Sequence, residues 1–368
     1  MPTIEYCGKA QAVAQVETIT VGGTPAVDDT VSVIINNKTV TYTVVTATVA
    51  AVCTGLADAL SNAVDPEFSE LSWEATATTV VGTAVTAGVP HTITVAESGG
   101  CTIATVTTIE ATGPNHVDNT DNWVGGVLPT AADSIVLANS SASLLYGWPG
   151  SQVNLANCRI EESYTGDIGL PKTNELEYQE YRTTVAQNWR FDSLTVNGRG
   201  TYRFWKFNAS APIEINSGTV WITGSPSTAV ISVNGGTLYH GISVTETALA
   251  AEVRVANGAS CIVHDDSTVT AAYVSGTLRA YGTVTGLTQW SGTTTLYKNP
   301  ATFDVLGGTL YLNGTEDVTT GAAGPGSVNL SQAMETFAIS SWTGRPGCTV
   351  SDQNRRCSTF TSPTITYN

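Results

Sequence analysis

The chain has 368 residues, a net charge of −16, 12% charged and 42% hydrophobic residues, and 35 glycines. That length buries a real core in more than one domain, and so few Lys and Arg exclude the clustered cations that nucleic acid or an anionic membrane surface needs. Low charge beside many Thr and Val residues favours β structure over long Glu/Lys/Leu helices.

Residues 1–112 carry 11 acids and 2 bases and hold most of the negative charge. Val16 to Val21 alternates, Gly22-Gly23-Thr24-Pro25 turns, and Thr30–Ile35 and Thr39–Val45 form a hairpin around Asn36-Asn37-Lys38. From Thr48 the period changes to Val49, Val52, Cys53, Leu56, Leu60, which predicts a helix with Thr48 as N-cap, ending before Asp65-Pro66. Strands are expected near 71–81 and 90–96. The first domain is therefore a small α+β unit over 1–112.

Asp121-Asn122-Trp123 opens the next domain, with Trp123 expected to plug the first rung of a stack. Residues 160–185, rich in Tyr, Glu and Gly, are expected to form a loop insertion on its flank. Then a phrase recurs. Ser217-Gly218-Thr219-Val220-Trp221 returns as Gly235-Gly236-Thr237-Leu238-Tyr239, Asn257-Gly258-Ala259-Ser260-Cys261, Ser275-Gly276-Thr277-Leu278-Arg279, Ser291-Gly292-Thr293-Thr294-Thr295 and Gly307-Gly308-Thr309-Leu310-Tyr311. The glycines are 18, 22, 18, 16 and 16 residues apart. A turn glycine followed by a short alternating strand at this period writes a right-handed parallel β-solenoid, expected over 113–315. Residues 319–327, Thr-Thr-Gly-Ala-Ala-Gly-Pro-Gly-Ser, are expected to be a flexible connector. They begin a separate C-terminal β segment over 316–368, with a strand at Thr359–Tyr367.

Few residues suggest chemistry. His264-Asp265-Asp266 is a dense polar trio and a weak metal candidate, but flanking rungs offer only Glu246, Glu252 and Asp304, so a polar turn is the favoured reading. The sequence shows no nucleophile elbow, phosphate loop or paired histidines at ligand spacing, so neither a catalytic residue nor a cofactor is expected. Trp221, Tyr239, Trp290 and Tyr311, with the basic pair Arg355-Arg356, are the candidate interaction residues. The aromatics suit either a subunit interface, sugar stacking or packing along the rod. Seven scattered cysteines lack metal spacing and read as mostly free buried thiols, with Cys348–Cys357 the one pair close in sequence. The N-terminus has neither a basic n-region nor an apolar h-region, so synthesis in a cytoplasm without a cleaved signal is expected.

Tyr6-Cys7-Gly8-Lys9-Ala10, Ile34-Ile35-Asn36-Asn37-Lys38, Tyr164-Thr165-Gly166-Asp167-Ile168-Gly169-Leu170-Pro171 and Val350-Ser351-Asp352-Gln353-Asn354-Arg355-Arg356 resemble segments of a group of phage and prophage structural proteins. In that group a small α+β domain precedes an Asn-Trp opening and Gly-Gly-Thr-Leu rungs. The resemblance spans most of the chain and implies a non-enzymatic component of the virion exterior. A head decoration protein touching the major capsid protein is the first expectation, with side-by-side association as a homotrimer. A tail fibre or spike binding a host glycan is the alternative within that class. A polysaccharide lyase or hydrolase built on the solenoid is the alternative outside it.

Overall fold

The computed structural model describes residues 3–147, 154–182, 190–209, 212–224, 228–243, 246–330, 332–333 and 335–360. It is 49% strand and 6% helix: a parallel β-solenoid of about 8 turns follows a small N-terminal domain of antiparallel sheets.

In the N-terminal domain, Val16–Gly23 sits at the middle of a four-stranded antiparallel sheet, between Thr79–Ala84 and Cys101–Ile109, with Leu71–Ala75 at the edge. Thr30–Ile35 pairs with Lys38–Thr43 and Ile93–Ser98 in a second, three-stranded sheet. The hairpin turn stands at Asn36 and Asn37, both in the left-handed region that Asn tolerates. The helix runs Val49–Ser61, and Thr48 accepts a hydrogen bond from the Ala51 amide at its start. Val52, Cys53, Leu56 and Leu60 pack its inner face against Ile19, Val33, Trp73 and Val80 in a core of their own.

The solenoid has two sheets. Each rung gives one strand to each, for example Thr283–Gln289 to a thirteen-stranded sheet and Thr293–Leu296 to a ten-stranded sheet. All these pairings are parallel. Alternate residues point inward, so Val220, Leu238, Cys261, Leu278 and Leu310 stack in one buried column, interrupted at one level by Thr294. The resulting core is continuous from Tyr6 to Trp342.

The glycine phrase marks one corner of the rod. Gly236 takes φ +72°, and a Cβ there would collide with the Gly218 carbonyl of the preceding rung. Left-handed backbone and close stacking of turn upon turn together exclude a side chain. At the same corner Asn234 donates from Nδ2 to Asn216 Oδ1 at 2.8 Å, and Asn216 donates to Asn197 Oδ1 at 2.8 Å. An asparagine ladder therefore supports three successive turns.

Three sequence expectations change. The domain boundary at 112 fails at its own beginning: Thr3–Tyr6 pairs in parallel with Ser134–Leu137 and is the edge strand of the solenoid sheet. The antiparallel domain is thus inserted behind the first strand of the rod. The solenoid also does not stop at 315. Val318–Ala323, Phe337–Gly344 and Cys357–Phe360 extend one sheet, and Ser327–Asn329 and Thr349–Ser351 the other. The expected connector at 319–327 is therefore mostly strand. Its Gly321 is small because the rings of Phe303 and Trp342 close on it, and a Cβ would meet Phe303 at 2.6 Å. The strand expected at Thr359–Tyr367 is described only to Phe360.

The insertion expected at 160–185 is partly built into the rod. Leu144, Ile168 and Tyr202 bridge in parallel across successive turns, and Tyr164 and Ile168 are fully buried. Residues 183–185 lie outside the described ones.

Trp123 does plug the first turn. It is buried edge-on to Tyr6, centroids 5.3 Å apart, and donates from Nε1 to the Val117 carbonyl at 2.7 Å. Its neighbour Asn122, also buried, donates to the Gly113 and His116 carbonyls and accepts from the Ala10 amide. All seven cysteines are free thiols, Cys348 and Cys357 included. Burial pushes the Cys261 thiol up to about 12, which leaves it inert at neutral pH.

Candidate functional site

Register turns the ten-stranded sheet into a readable surface. Its outward positions form two columns. The first is Thr201, Thr219, Thr237, Ser260, Thr277, Thr293, Thr309, Ser327 and Thr349. The second is Arg203, Trp221, Tyr239, Ile262, Arg279, Thr295, Tyr311, Asn329 and Ser351. A hydroxyl stands at every level of the first column, at the rung spacing of about 4.8 Å. The phrase Gly-Thr-x-aromatic writes both columns at once, since Thr and the residue two positions on share a face.

Three of the predicted interaction residues fall in the second column. Trp221 and Tyr239 are directly in register and stack face to face, centroids 3.8 Å apart and planes 4° apart. Each ring thus spends one face on the other, which leaves less ring surface for a sugar than the sequence suggests. Tyr311 lies further along the same column. Trp290 does not join them. It stands at the glycine corner, 51% exposed, against Tyr273 of the other sheet at 5.7 Å. Arg355 and Arg356 stand in a turn before the last strand, where the Arg356 and Cys357 amides donate to the Asp352 carboxylate.

One cluster on this flank joins Arg279, a residue the sequence reading passed over, to two outer tyrosines. Tyr281 and Tyr297, one rung apart at the next corner, stack at 4.5 Å with planes 10° apart. The Arg279 guanidinium lies 5.0 Å from the Tyr281 ring and 5.5 Å from the Tyr297 ring, and donates from Nη2 to Tyr297 Oη at 2.9 Å. These contacts hold the Arg279 charge above its ordinary range, the Tyr297 hydrogen bond foremost. The signal was present in the repeat, because Arg279 occupies the position Trp221 and Tyr239 hold in their copies.

His264-Asp265-Asp266 forms the neighbouring corner, and the polar-turn reading is the one its geometry fits. Asp266 takes φ +60°, and Lys298 pairs with Asp265 at 2.8 Å and Asp266 at 3.5 Å. The Lys298 hydrogen bond lowers Asp265 below the usual carboxylate range. Among the described residues no group of three or more His, Cys, Asp or Glu side chains could hold a metal ion.

No family model, curated protein or solved structure matches the chain.

A second polar cluster joins the inserted domain to the rod. Tyr178 donates to Glu70 Oε2 at 2.8 Å, Arg182 pairs with Glu180 at 2.7 Å and with Glu70 at 3.5 Å, and Asn36 donates to the Gln179 carbonyl at 3.1 Å. The Arg182 side chain is only 8% exposed. Burial opposes its charge, and the Glu180 hydrogen bond together with both carboxylates outweighs that and raises it. His91 packs 3.3 Å from Tyr181 Oη, and burial, aided by Arg182, lowers it to about 3, so it is neutral at physiological pH. Residues 171–182 therefore act as a strap. Between strap, domain and rod lies a cleft of about 690 Å³ whose walls include Glu70, Tyr146, Asp167 and Arg203. Nothing in local sequence periodicity announces this junction, because its partners are more than 100 residues apart.

Proposed function

We propose that the chain is a non-enzymatic structural protein on the exterior of a phage particle, first among such roles a head decoration protein. One observation carries the reading: a single hydrophobic core runs unbroken from Tyr6 to Trp342, with the inserted domain strapped at its beginning. Such a stack is stiff, and stiffness serves reach and attachment. The resemblance of the Asn-Trp opening and the glycine phrases to phage structural proteins supports the setting. The acidic N-terminal domain, with 11 acids and 2 bases in residues 1–112, suits a basic protein surface such as a capsid partner. A homotrimer is the assembly we favour, and light scattering that returns the monomer mass would overturn it.

The test of position is a gold-labelled antibody against the protein on intact particles. Label over the head is expected. Label confined to the tail replaces the decoration reading with a fibre or spike, and particles without label overturn the virion reading. Turnover of a polysaccharide that Asp265→Ala or Asp266→Ala abolishes would overturn the non-enzymatic reading.

A further inference from the structure

We infer that the outer face of the ten-stranded sheet is a docking surface for an acidic, carboxylate-bearing polysaccharide, with Arg279 as its anion anchor. The inference stands apart from where on a particle the protein sits.

Charge distribution is the first argument. The chain holds 31 Asp and Glu against 15 Lys and Arg. Yet neither outward column of this sheet contains a carboxylate, and the two charges they carry are Arg203 and Arg279. The other sheet differs: Glu5, Glu214, Glu252 and Asp304 face outward there, beside Arg159 and Arg254. Residues 196–312, which hold most of the rungs, carry 6 acids and 6 bases, and both outward columns of this sheet are without carboxylates, which complements an anionic partner.

Arg279 is the second argument. Arg203 lies 3.8 Å from Asp167 and donates to the Gly169 carbonyl. Arg279 is exposed and, among the described residues, meets no carboxylate within ion-pair distance. The nearest acidic turn, Asp265-Asp266, is taken up by Lys298. The guanidinium is held against Tyr281 and Tyr297 with one N–H spent on Tyr297 Oη. The remaining donors keep the fork geometry that binds a carboxylate through two hydrogen bonds. An anchor fixed in this way loses little freedom on binding.

The hydroxyl column is the third. Thr277, Thr293 and Thr309 run beside Arg279 at regular spacing, and each hydroxyl both donates and accepts. A flat, straight row of such groups suits a long polymer of hydroxyl-bearing units more than a compact ligand.

The experiment is binding of the full chain to immobilised polygalacturonate, alginate and hyaluronate, with dextran as neutral and dextran sulfate as highly charged comparisons. Binding to at least one carboxylated polymer is expected, with dextran unbound. Arg279→Ala should weaken it about tenfold or more, the worth of a charge-assisted pair, and Arg279→Lys should recover only part. Arg254→Ala, an exposed arginine on the other sheet, should bind as the parent does. Circular dichroism confirms that each variant is folded. Binding to none of the three carboxylated polymers overturns the inference. So does equal binding of dextran, stronger binding of dextran sulfate lost equally in both alanine variants, or an Arg279→Ala protein that binds unchanged. Failure here would leave the particle-labelling result untouched, and the reverse holds too.

Discussion

Replacing Gly292 by Ala, beside the same change at Gly258, separates two reasons for a turn glycine. Both stand in the left-handed region, at φ +74° and +83°. That conformation costs an L-residue about 1–2 kcal/mol. Around Gly258 a Cβ would meet nothing within 4 Å, because its turn, 256–259, carries one more residue than 290–292 and stands clear. At Gly292 a Cβ would overlap the Gly276 carbonyl and lie 2.7 Å from the Ser275 carbonyl. Gly276 O cannot retreat freely, since it accepts the Thr293 amide at 3.0 Å. Overpacking against such a fixed neighbour adds about 1–3 kcal/mol. Gly292→Ala is therefore expected to cost about 2 kcal/mol more than Gly258→Ala. Hydrogen exchange read by mass spectrometry suits a rod whose turns can open locally. The Thr293 and Thr309 amides, which bond to the Gly276 and Gly292 carbonyls, should exchange roughly 30-fold faster in Gly292→Ala than in Gly258→Ala, given about 1.4 kcal/mol per tenfold. Equal loss of protection in the two variants would refute the stacking argument and leave backbone conformation as the whole explanation.

Three further outcomes are expected. Burial lowers His240 to about 4 from an ordinary 6.5, so the unfolded chain takes up the proton first as pH falls. The stability tied to it is complete above about pH 6.5 and lost towards pH 4, up to about 3 kcal/mol. His240→Leu should flatten the urea midpoint across that window, and an unchanged pH dependence counts against it. Arg182→Ala removes the guanidinium shared by Glu70 and Glu180 and should cost about 3–5 kcal/mol; limited proteolysis should then cut the strap first, and an intact strap would contradict its clamping role. Thr294→Val should stabilise by about 1 kcal/mol or more, since Thr294 Oγ1 is buried without a hydrogen bond among the described residues, in an otherwise apolar column; a lower urea midpoint would show that the hydroxyl is satisfied in solution.

Local patterns proved the legible part of the chain. The change of period at Thr48 gave the helix and its cap, and Asn36-Asn37 gave the hairpin. The glycine phrase gave the solenoid. The rest depended on distant partners. Thr3–Tyr6 carries no repeat phrase, and its place becomes visible only once Ser134–Leu137 lies beside it. Gly321 looked like a linker residue because the rings that need its small size come from Phe303 and Trp342, on the adjacent turns. The strap was hidden for the same reason. Arg279 was different: its alternation was readable, but its significance lay in the tyrosines on neighbouring turns and in outward columns that hold no carboxylate.

The first strand of the rod has a consequence for the order of assembly. Thr3–Tyr6 leaves the ribosome well before its partner strand, since Leu137, the last residue it pairs with, follows roughly 130 residues later. At about 5–20 residues per second that interval lasts roughly 10 s. The antiparallel domain is complete by then and can fold in the meantime. Topologically it is a guest in a long loop of the rod, so deleting Thr3–Tyr6 tests whether the early strand is needed to start the stack or only to close it.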